Sequence, residues 1–423
     1  TWAAQRGREA LDIEWDLGAN AAHESEAYRD ALFASVRGPG APVLTRGDVA
    51  AAFESAEKTH EAVYYAPYLS QAPMEPPAAL AHMTDDGGCE IWACTQNPQA
   101  AQDTVAGTLG IEKDQVKVHV TLLGGGFGRK SKPDYIAEAA WLARETGRPV
   151  KVTWTREDDI RHGYLHSVSA QFLKAGIDAD GGATSLLHRT CFPSIGSTFD
   201  AAATGPGGFE LDLGLLDNPY DFENMQLETA DARAHLRIGW LRSVCNVFHA
   251  FALCGFVDEL AQIAGEDPRD HLLKLLGESR QIDPADDGAQ YTNYGHPLDK
   301  HPIDTGRIAA VVSKVSDMAG WGRPMADGRG LGIAVHRSFL SIVGTVAEVS
   351  VDDNGRLAVD NVWMAIDAGT TVNPDRVTSQ MEGAAIFGMS LALHGEITAK
   401  DGAVVQGNYD SYPVVRMNEA PED

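Results

Sequence analysis

The segment Gly124-Gly-Gly-Phe-Gly128 has the clearest capacity for chemistry in this sequence. Alternating apolar residues predict a strand within 114–123 before it, and helical spacing predicts a helix over 134–146 after it. Glycine has no Cβ, so its backbone can adopt positive φ and approach a ligand closely. Backbone N–H groups in such a loop can surround an anion. Because glycine also forms tight turns that bind nothing, the loop alone predicts only a candidate anion site.

The spacing of the loop argues against two common nucleotide-binding motifs. The dinucleotide fingerprint G-x-G-x-x-G/A places Arg129 or Ser131 at its third position, according to whether it starts at Gly124 or Gly126. The Gly-Lys-Ser/Thr end of a P-loop does not occur in the sequence. Neither a Rossmann-type nor a P-loop site is therefore expected.

Thr1 offers a different chemistry, because the free amine of an N-terminal threonine can activate its own hydroxyl. Such a nucleophile opens a strand within a buried sheet. The residues Trp2–Ala10 instead have the pattern of a short helix, which runs into a predicted strand at Leu11–Trp15. An N-terminal-threonine hydrolase is therefore kept as an alternative. Since the chain starts inside such an element, we expect a fragment, a processed product or one half of a split polypeptide.

Five cysteines are the remaining candidates for metal or redox chemistry: Cys89, Cys94, Cys191, Cys245 and Cys254. Their number is odd, so they cannot all pair within the chain. No C-x-x-C pair occurs, and Cys89 and Cys94 lack the further cysteines of an iron–sulfur pattern. We expect packed or surface thiols and no metal site built from them.

Composition limits the class of protein. A chain of 423 residues is too long for one core and suggests two or three domains. It has 34 basic and 60 acidic residues, a net charge of −26 that repels nucleic acid and anionic membrane surfaces. We expect no apolar run long enough to cross a bilayer, and therefore a soluble protein without a membrane span. An anionic ligand would have to be held by backbone N–H groups more than by lysines.

Coarse patterning predicts the elements that must position the glycine loop. A second strand at Val150–Thr155 completes a strand–loop–helix–strand unit. The rest of the pattern is a mixture of strands, helices and turns, with no internal repeat. It comprises strands at Ser167–Ile177 and Thr184–Cys191, an irregular region over 203–235, a helix at Asn246–Gly265, a helix opened by Asp267-Pro268, a pair of strands at Gly330–Asp352 and Arg356–Ala368 that turn at Asp353–Gly355, and a helix at Asp375–Leu393.

Five segments in order resemble the molybdenum hydroxylases of the xanthine dehydrogenase and aldehyde oxidase type, closest to the isoquinoline 1-oxidoreductase branch. From the first to the last, they span about three quarters of the chain. They are Ala72-Pro-Met-Glu-Pro76, Cys94-Thr-Gln-Asn-Pro-Gln99, Gly124-Gly-Gly-Phe-Gly-Arg129, Leu241-Arg-Ser-Val244 leading into Asp258-Glu-Leu-Ala261, and Gln380-Met-Glu-Gly-Ala384.

The resemblance implies an α+β fold with two elongated molybdenum-cofactor-binding domains and the end of a small α/β domain. We expect the small domain and linker over 1–60, the first cofactor-binding domain over 61–285, and the second over 286–423 without its C-terminal part. The polar stretch from about Gly277 to Ile303 supports the second boundary.

The resemblance also implies a set of site residues. In this family a pterin dithiolene holds the molybdenum, so no protein metal ligand is expected. Gln96 matches the glutamine that faces the molybdenum oxo group, where its amide is a neutral donor. Phe127 matches the phenylalanine beside the metal, and it could equally be a plug that holds a tight loop. Flanking glycines would let the backbone approach the cofactor: Gly125, Gly126 and Gly128.

Two further matches lie on the cofactor side. Arg242 matches an arginine of a second loop, in which Ser243 and Val244 would offer backbone N–H groups. Gln380 matches a glutamine that reaches the pterin, with an ordinary polar residue in the first helical turn as the other interpretation. Isolated arginines are more often on the surface. Glu75 is interpreted as structural, since a residue before proline is held extended and can anchor a neighbouring loop.

The sequence departs from the family in three ways. The catalytic glutamate of a C-terminal Gly-Glu-Pro segment is missing, and neither Glu419 nor Glu422 is assigned its role. The Met-Gly-Gln-Gly segment of the pterin site is missing as well. Arg129-Lys-Ser-Lys132 stands where the family has an acid, which puts a xanthine-type substrate preference in doubt. The catalytic base is therefore expected outside this chain.

The leading hypothesis is the cofactor-binding portion of an oxidoreductase that hydroxylates aldehydes or N-heteroaromatic compounds with oxygen from water. The resemblance implies molybdopterin cytosine dinucleotide with molybdenum, and iron–sulfur clusters on a small partner subunit. The remaining portion of the large subunit is a second expected partner, and a cytochrome is a candidate acceptor. A periplasmic location is expected from the same branch. A scaffold that has lost its cofactor is the third hypothesis.

Overall fold

The computed structural model describes residues 1–16 and 18–421. Its α-helices are distributed along the whole chain. They are α1 (Trp2–Glu9), α2 (Ser25–Arg37), α3 (Val49–Ser55), α4 (Pro98–Leu109), α5 (Asp134–Thr146), α6 (Arg156–His162), α7 (Gly208–Leu211), α8 (Asn246–Ala264), α9 (Pro268–Leu276), α10 (Thr305–Ala319) and α11 (Pro374–Leu393).

The strands are mixed with these helices along the chain and pair mainly in antiparallel fashion, which confirms the predicted α+β class. They are β1 (Ala41–Arg46), β2 (Lys58–Ala66), β3 (Ala78–Met83), β4 (Cys89–Ala93), β5 (Val116–Val120), β6 (Val150–Thr153), β7 (Ser169–Ile177), β8 (Ala183–Cys191), β9 (Asn224–Ala230), β10 (Gln281–Ile282), β11 (Ile303–Asp304), β12 (Arg329–Ser338), β13 (Ser341–Val351), β14 (Leu357–Asp367), β15 (Ala399–Lys400) and β16 (Ala403–Val404).

Three larger sheets organise the strands. The first has the order β1-β9-β8-β7-β2, with β8 and β9 parallel and the other neighbours antiparallel. The second, β5-β4-β3-β6, contains the predicted strand–loop–helix–strand unit. The third is the antiparallel meander β12-β13-β14. Pairing of β1 with β9 crosses the predicted boundary at residue 60, and the domain boundaries stay predictions.

Three hydrophobic cores hold these layers together. One lies between the first sheet, the α8–α9 pair, α10 and the third sheet. A second lies on the opposite side of the first sheet, against α2 and the N-terminal part of α8. The third lies between the second sheet and helices α4 and α5. Helix α8 therefore contributes to two of the cores, with Phe256 in the first and Phe248 in the second.

Several predictions about elements are wrong. Leu11–Trp15 forms no strand, and its side chains are exposed. The region 203–235 is not irregular throughout, because it contains β9, which lies between β1 and β8 in the first sheet. The strand's signal is weakened by Glu228, a charged residue that is buried in an ion pair with Arg189 at 2.5 Å. A polar residue at a core position breaks the alternation on which the prediction depends.

The predicted pair of strands after residue 330 is a three-stranded meander. The extra turn falls at Phe339 and Leu340, which have φ of 47° and 70°. Turns with positive φ at two positions normally use Asn or Gly. Two apolar residues therefore gave no sequence signal for this turn, whereas the second turn falls at the predicted Asp353–Gly355.

One helix of the described residues is long and apolar enough to cross a membrane, namely α8 with a hydropathy of 1.4. The expectation that no run approaches that length is therefore wrong. Length and composition are weak evidence for a membrane span, because the central helix of a folded core has the same properties. Many side chains of α8 are buried within the cores, and the absence of a membrane span stays a prediction.

Phe256 and Phe251 give a matched test of this packing, because they share helix α8 but are 0% and 54% exposed. We expect Phe256→Ala to lower the free energy of unfolding by about 3–5 kcal/mol, since it leaves a cavity in the core. Phe251→Ala should change it by about 0.5 kcal/mol. Chemical denaturation followed by tryptophan fluorescence measures both. Equal effects of the two substitutions would contradict the assignment of the buried face.

Candidate functional site

The glycine loop lies between the end of β5 and helix α5, at one end of the second sheet. Gly125 and Gly128 have φ of 90° and 102°, which is accessible to glycine at little cost. Phe127 has φ of 51°, an unusual conformation for an aromatic residue. The loop is therefore a tight, left-handed excursion of the backbone, as the sequence indicated.

Two glycines allow neighbouring segments to approach the loop. A Cβ at Gly126 would overlap the side-chain oxygen of Gln96. A Cβ at Gly128 would overlap the backbone carbonyl of Trp240. The loop thus contacts the segment 94–99 on one side and the segment 240–244 on the other, and these are two of the five motif segments.

Gln96 is held at the loop by the turn that starts α4. Asn97 caps this helix by accepting a hydrogen bond from Ala100 N at 3.1 Å, and Pro98 occupies the first helical position. The Gln96 N–H donates to the Lys130 carbonyl at 3.0 Å. Its side-chain Oε1 accepts from Gly128 N at 3.0 Å. Because this oxygen must face a donor, the amide Nε2 remains available as a donor, as predicted for a glutamine that faces an oxo group.

Glu75 anchors the loop from a third segment, which confirms its structural interpretation. Its Oε2 accepts from Gly124 N at 2.9 Å and from Lys130 Nζ at 2.5 Å. Lys130 is fully buried, so this carboxylate is its counterion. Burial alone would raise the pKa of Glu75, but the hydrogen bonds from Lys130 and Gly124 outweigh it and hold the pKa below its ordinary value.

The remaining basic residues after the loop are also committed to the protein interior. Arg129 is 0% exposed and forms ion pairs with Asp134 at 3.0 Å and Asp159 at 3.1 Å. Lys132 lies among aromatic rings, with Nζ 4.2 Å from the ring centroid of Trp240. Burial lowers the pKa of Lys132 to about 8. These cations stabilise the loop and do not line the cleft.

Arg242 joins the loop to the second half of the chain. Its N–H donates to the Phe127 carbonyl at 2.9 Å. Its guanidinium donates to the carbonyl and the side-chain oxygen of Gln380 at 3.1 and 3.2 Å. Burial lowers the pKa of Arg242, and within residues 1–16 and 18–421 no carboxylate pairs with it. Gln380 lies in the second turn of α11, so its expected place in the first turn is wrong.

The structure brings the predicted residues into one cleft of about 380 Å³. Gly125 and Gly126 are not among the residues that line it, and their contact with the cofactor stays a prediction. The lining combines residues from four of the motif segments with two aromatic residues that the sequence analysis missed. It consists of Gln96, Phe127, Gly128, Trp240, Leu241, Arg242, Ser243, Val244, Phe339 and Gln380.

Within the part of the chain that the structure describes, several backbone N–H groups in the cleft and in the adjoining glycine loop are unpaired. The N–H groups of Gly125, Gly126, Phe127 and Ser243 have no acceptor among the described residues. The N–H of Val244 donates to the Leu241 carbonyl at 2.7 Å, so the expectation that it would be free is wrong. No Asp or Glu lines the described part of the cleft. A set of unpaired donors around one arginine fits an anionic, acceptor-rich group such as a molybdenum–pterin cofactor.

Other candidates are placed away from the cleft. Thr1 is exposed and precedes helix α1, not a buried strand. Glu419 lies near His394 and accepts from Arg416 N at 2.9 Å, whereas Glu422 lies outside the described residues. The cysteines are free thiols, and no cluster of His, Cys, Asp or Glu in the described part of the chain could hold a metal.

Phe127 has a partner that the sequence analysis did not identify. Its ring stacks on Phe387 of α11, with 4.9 Å between the centroids. Trp240 and Phe339 were also missed, because single aromatic residues in loops carry no periodic signal. Their proximity to the glycine loop depends on contacts between distant parts of the chain.

Glu75→Gln tests the anchoring of the loop. Because it leaves the buried Lys130 charge without a counterion, we expect a loss of about 1–3 kcal/mol in the free energy of unfolding at pH 7. Glu90→Gln, which breaks an exposed pair with Lys117, should cost about 0.5 kcal/mol and serves as the control. The lowered pKa of Glu75 stabilises the fold above its unfolded pKa, and this contribution is lost as pH falls through the folded pKa. The gap between wild type and Glu75→Gln should therefore close on acidification below about pH 4, and a constant gap would contradict the ionic role.

Gly128→Ala tests the close approach of the loop to Trp240. We expect the added Cβ to push the two segments apart, since both positive φ and the Trp240 backbone oppose it. Gly107→Ala is the control, because Gly107 lies inside α4 with open space around it. That change should be neutral or stabilise by about 0.5–1 kcal/mol. Thermal denaturation and hydrogen exchange of the loop peptides distinguish the two, and identical protection in both variants would contradict the contact.

Comparison with known protein families agrees with this site. Residues 36–273 match one model of a molybdopterin cofactor-binding domain, and residues 314–421 match a second. The first match alone covers more than half of the chain. Four of the five motif segments fall in the first matched region and the fifth falls in the second.

Individual relatives point the same way. The chain is 31% identical to the isoquinoline 1-oxidoreductase subunit beta of Brevundimonas diminuta, over 90% of this chain and 45% of that one. It is 30% identical to a membrane-bound aldehyde dehydrogenase (pyrroloquinoline-quinone) of Gluconacetobacter polyoxogenes, over 99% of this chain and 55% of that one. The chain therefore spans about half the length of these curated relatives.

A solved structure supports the fold. Quinoline 2-oxidoreductase from Pseudomonas putida 86 superposes with a TM-score of 0.77 at 15% identity, over 99% of this chain and 76% of that one. The matched domains, the relatives and the donor-lined cleft agree. The chain belongs to the family of molybdopterin cofactor-binding domains, of the xanthine-dehydrogenase type that its five motif segments predicted.

Proposed function

We propose that this chain is the cofactor-binding portion of a molybdenum hydroxylase that acts on N-heteroaromatic compounds or aldehydes. The observation that carries the proposal is the cleft in which unpaired backbone donors, Gln96 Nε2 and the Arg242 guanidinium face one space. Five distant motif segments build that space or hold the loop that forms it. The names of the relatives supply the reaction class.

The residues of the chain have separable roles in this function. The bound molybdenum–pterin group would supply the oxidising chemistry and the oxygen activated from water. Gln96 would donate to an acceptor on that group through Nε2, and the loop N–H groups would hold its anionic part without a lysine. Arg242 would neutralise negative charge near Gln380. Phe127, stacked on Phe387, would exclude water from one side of the cleft.

A cavity of about 380 Å³ next to Arg242 and Ser243 supports a flat, apolar substrate. Its walls are mostly apolar and aromatic, including Tyr65, Phe251 and Phe387. A charged, polar purine would find few partners there, since Arg129 and Lys130 are buried in ion pairs. This agrees with the doubt about a xanthine-type substrate and favours an N-heteroaromatic ring or an apolar aldehyde.

The complete catalyst requires groups beyond this chain's cleft. We propose that the catalytic base is supplied from the remaining portion of the large subunit, since no carboxylate lines the described part of the cleft. Cytosine dinucleotide as the cofactor form and iron–sulfur clusters on a small subunit are proposed from the motif resemblance. A relative that is named as a subunit supports a heteromeric complex. The periplasmic location and a cytochrome acceptor rest on the resemblance alone.

Mass spectrometry and metal analysis of the native complex test the proposal. We expect about one molybdenum and one pterin dinucleotide per chain, together with a chain that carries iron–sulfur clusters. Turnover of an N-heteroaromatic compound or an aldehyde in ¹⁸O-labelled water should place the label in the product. A complex without molybdenum and pterin, or a product without label, would overturn the proposed reaction and favour a scaffold.

Arg242→Met separates cofactor binding from folding. Loss of its charge-assisted hydrogen bonds should weaken cofactor retention by about 10- to 100-fold. Arg307→Met is the control, because Arg307 pairs with Asp367 away from the cleft. Molybdenum content after dialysis, normalised to folded protein, measures the effect. Equal losses in the two variants would contradict a specific role for Arg242.

A further inference from the structure

The turn beside the cleft contains two consecutive residues in the left-handed region. Ser243 has φ of 71° and Val244 has φ of 50°. A β-branched residue such as valine is a true outlier there. Such a conformation is disfavoured for residues other than glycine, so it persists only where the surrounding structure imposes it.

His166 fixes the second of these residues. Its Nε2 lies 2.9 Å from the Val244 carbonyl, and the imidazole is 2% exposed. Burial lowers the pKa of His166 to about 4, so the ring is neutral at physiological pH and carries one N–H. The carbonyl can only accept, which places the proton on Nε2. With the Val244 N–H bound to the Leu241 carbonyl, both polar groups of this residue are held.

Asn246 fixes the first residue from the start of α8. Its Nδ2 donates to the Ser243 carbonyl at 3.0 Å, and its own N–H donates to the same oxygen at 3.1 Å. The amide orientation is set by His336 of β12, whose Nε2 lies 2.7 Å from Asn246 Oδ1. Burial lowers the pKa of His336 to about 4, so this ring is a neutral donor as well.

These contacts leave the cleft side of the turn free. The Ser243 N–H and Oγ have no acceptor among the residues that the structure describes, and Ser243 lines the cleft beside Arg242. The two carbonyls of the turn accept their hydrogen bonds from His166, from Asn246 and from the first N–H groups of α8. The strained conformation is therefore imposed from the protein interior and presented toward the ligand space.

We propose that His166, and Asn246 together with His336, are positioning residues that hold the Ser243–Val244 turn in the conformation required to bind the cofactor. The proposal rests on the proposed cofactor-binding function. It assigns these three side chains a role that acts through the backbone of the turn. Preorganisation of the donor at Ser243 means that binding need not fix the turn each time.

A double-mutant cycle in the native complex tests this assignment. His166→Leu removes the donor, and we expect it to lower molybdenum and pterin retention by about 10-fold and to speed hydrogen exchange in the peptide that contains Ser243 and Val244. His166→Gln retains an N–H donor and should restore most of both. In a Val244→Gly background, where positive φ is not strained, His166→Leu should change retention by less than about threefold.

His188→Leu is the matched control, because His188 is equally buried but bonds to Gln171 and not to the turn. It should lower thermal stability without changing cofactor retention per folded chain. An effect of His166→Leu that is equally large in the Val244→Gly background would overturn the proposal. So would unchanged exchange in the turn. A wild-type complex without pterin would overturn the proposed function alone, because the exchange measurements would still report the coupling between His166 and Val244.

Discussion

The cleft depends on the absence of side chains at Gly126 and Gly128. Because no Cβ intervenes, the Gln96 amide and the Trp240 carbonyl lie against the backbone of the loop. The loop is then linked to further segments by Glu75 on one side and Arg242 on the other. The hydrogen bonds of the glycine loop, residues 124–128, therefore set the positions of the neighbouring segments that line the cleft.

Charge is distributed in a way that suits an anionic ligand in a strongly acidic chain. The net charge of −26 opposes the binding of an anion at long range. Most cations near the loop are neutralised by carboxylates, as in the pairs of Arg129 and Lys130. The cleft itself presents backbone dipoles and one arginine without a carboxylate. Hydrogen-bond donors at short range, in a cleft with a low local dielectric constant, can bind an anion although the net negative charge of the chain repels it.

Much of the fold was accessible from the sequence where the signal is local. Helix α5 was predicted with its observed bounds, because its apolar spacing and its Gly147 stop are read within one window. Strand β9 and the turn at Phe339 were not predicted, since a buried ion pair and two apolar turn residues contradict local rules. Each exception is stabilised by distant parts of the chain, which a window of neighbouring residues does not contain.

The candidate site was predictable to a similar extent. The motif segments identified Gln96, Phe127, Arg242 and Gln380, and the structure brings them to one cleft. Their assigned roles remain predictions. The network behind the turn could not be predicted, because His166 lies about 80 positions from Val244 and has no local motif. The role proposed for His166 depends on the positive φ of Val244, and a backbone angle cannot be inferred from the residue type alone.

The hydrogen bonds from Gly124 and Lys130 to the Glu75 carboxylate limit where residues can be inserted in the chain. Glu75 binds the amide at one end of the loop and the ammonium that follows its other end, so the number of residues between them is fixed by geometry. Inserting one residue between 124 and 130 would rotate the later side chains out of register. The exposed turn near Asp180 is held by hydrogen bonds to Asp178 from within the same turn, and it is the better place to graft a tag or an added module.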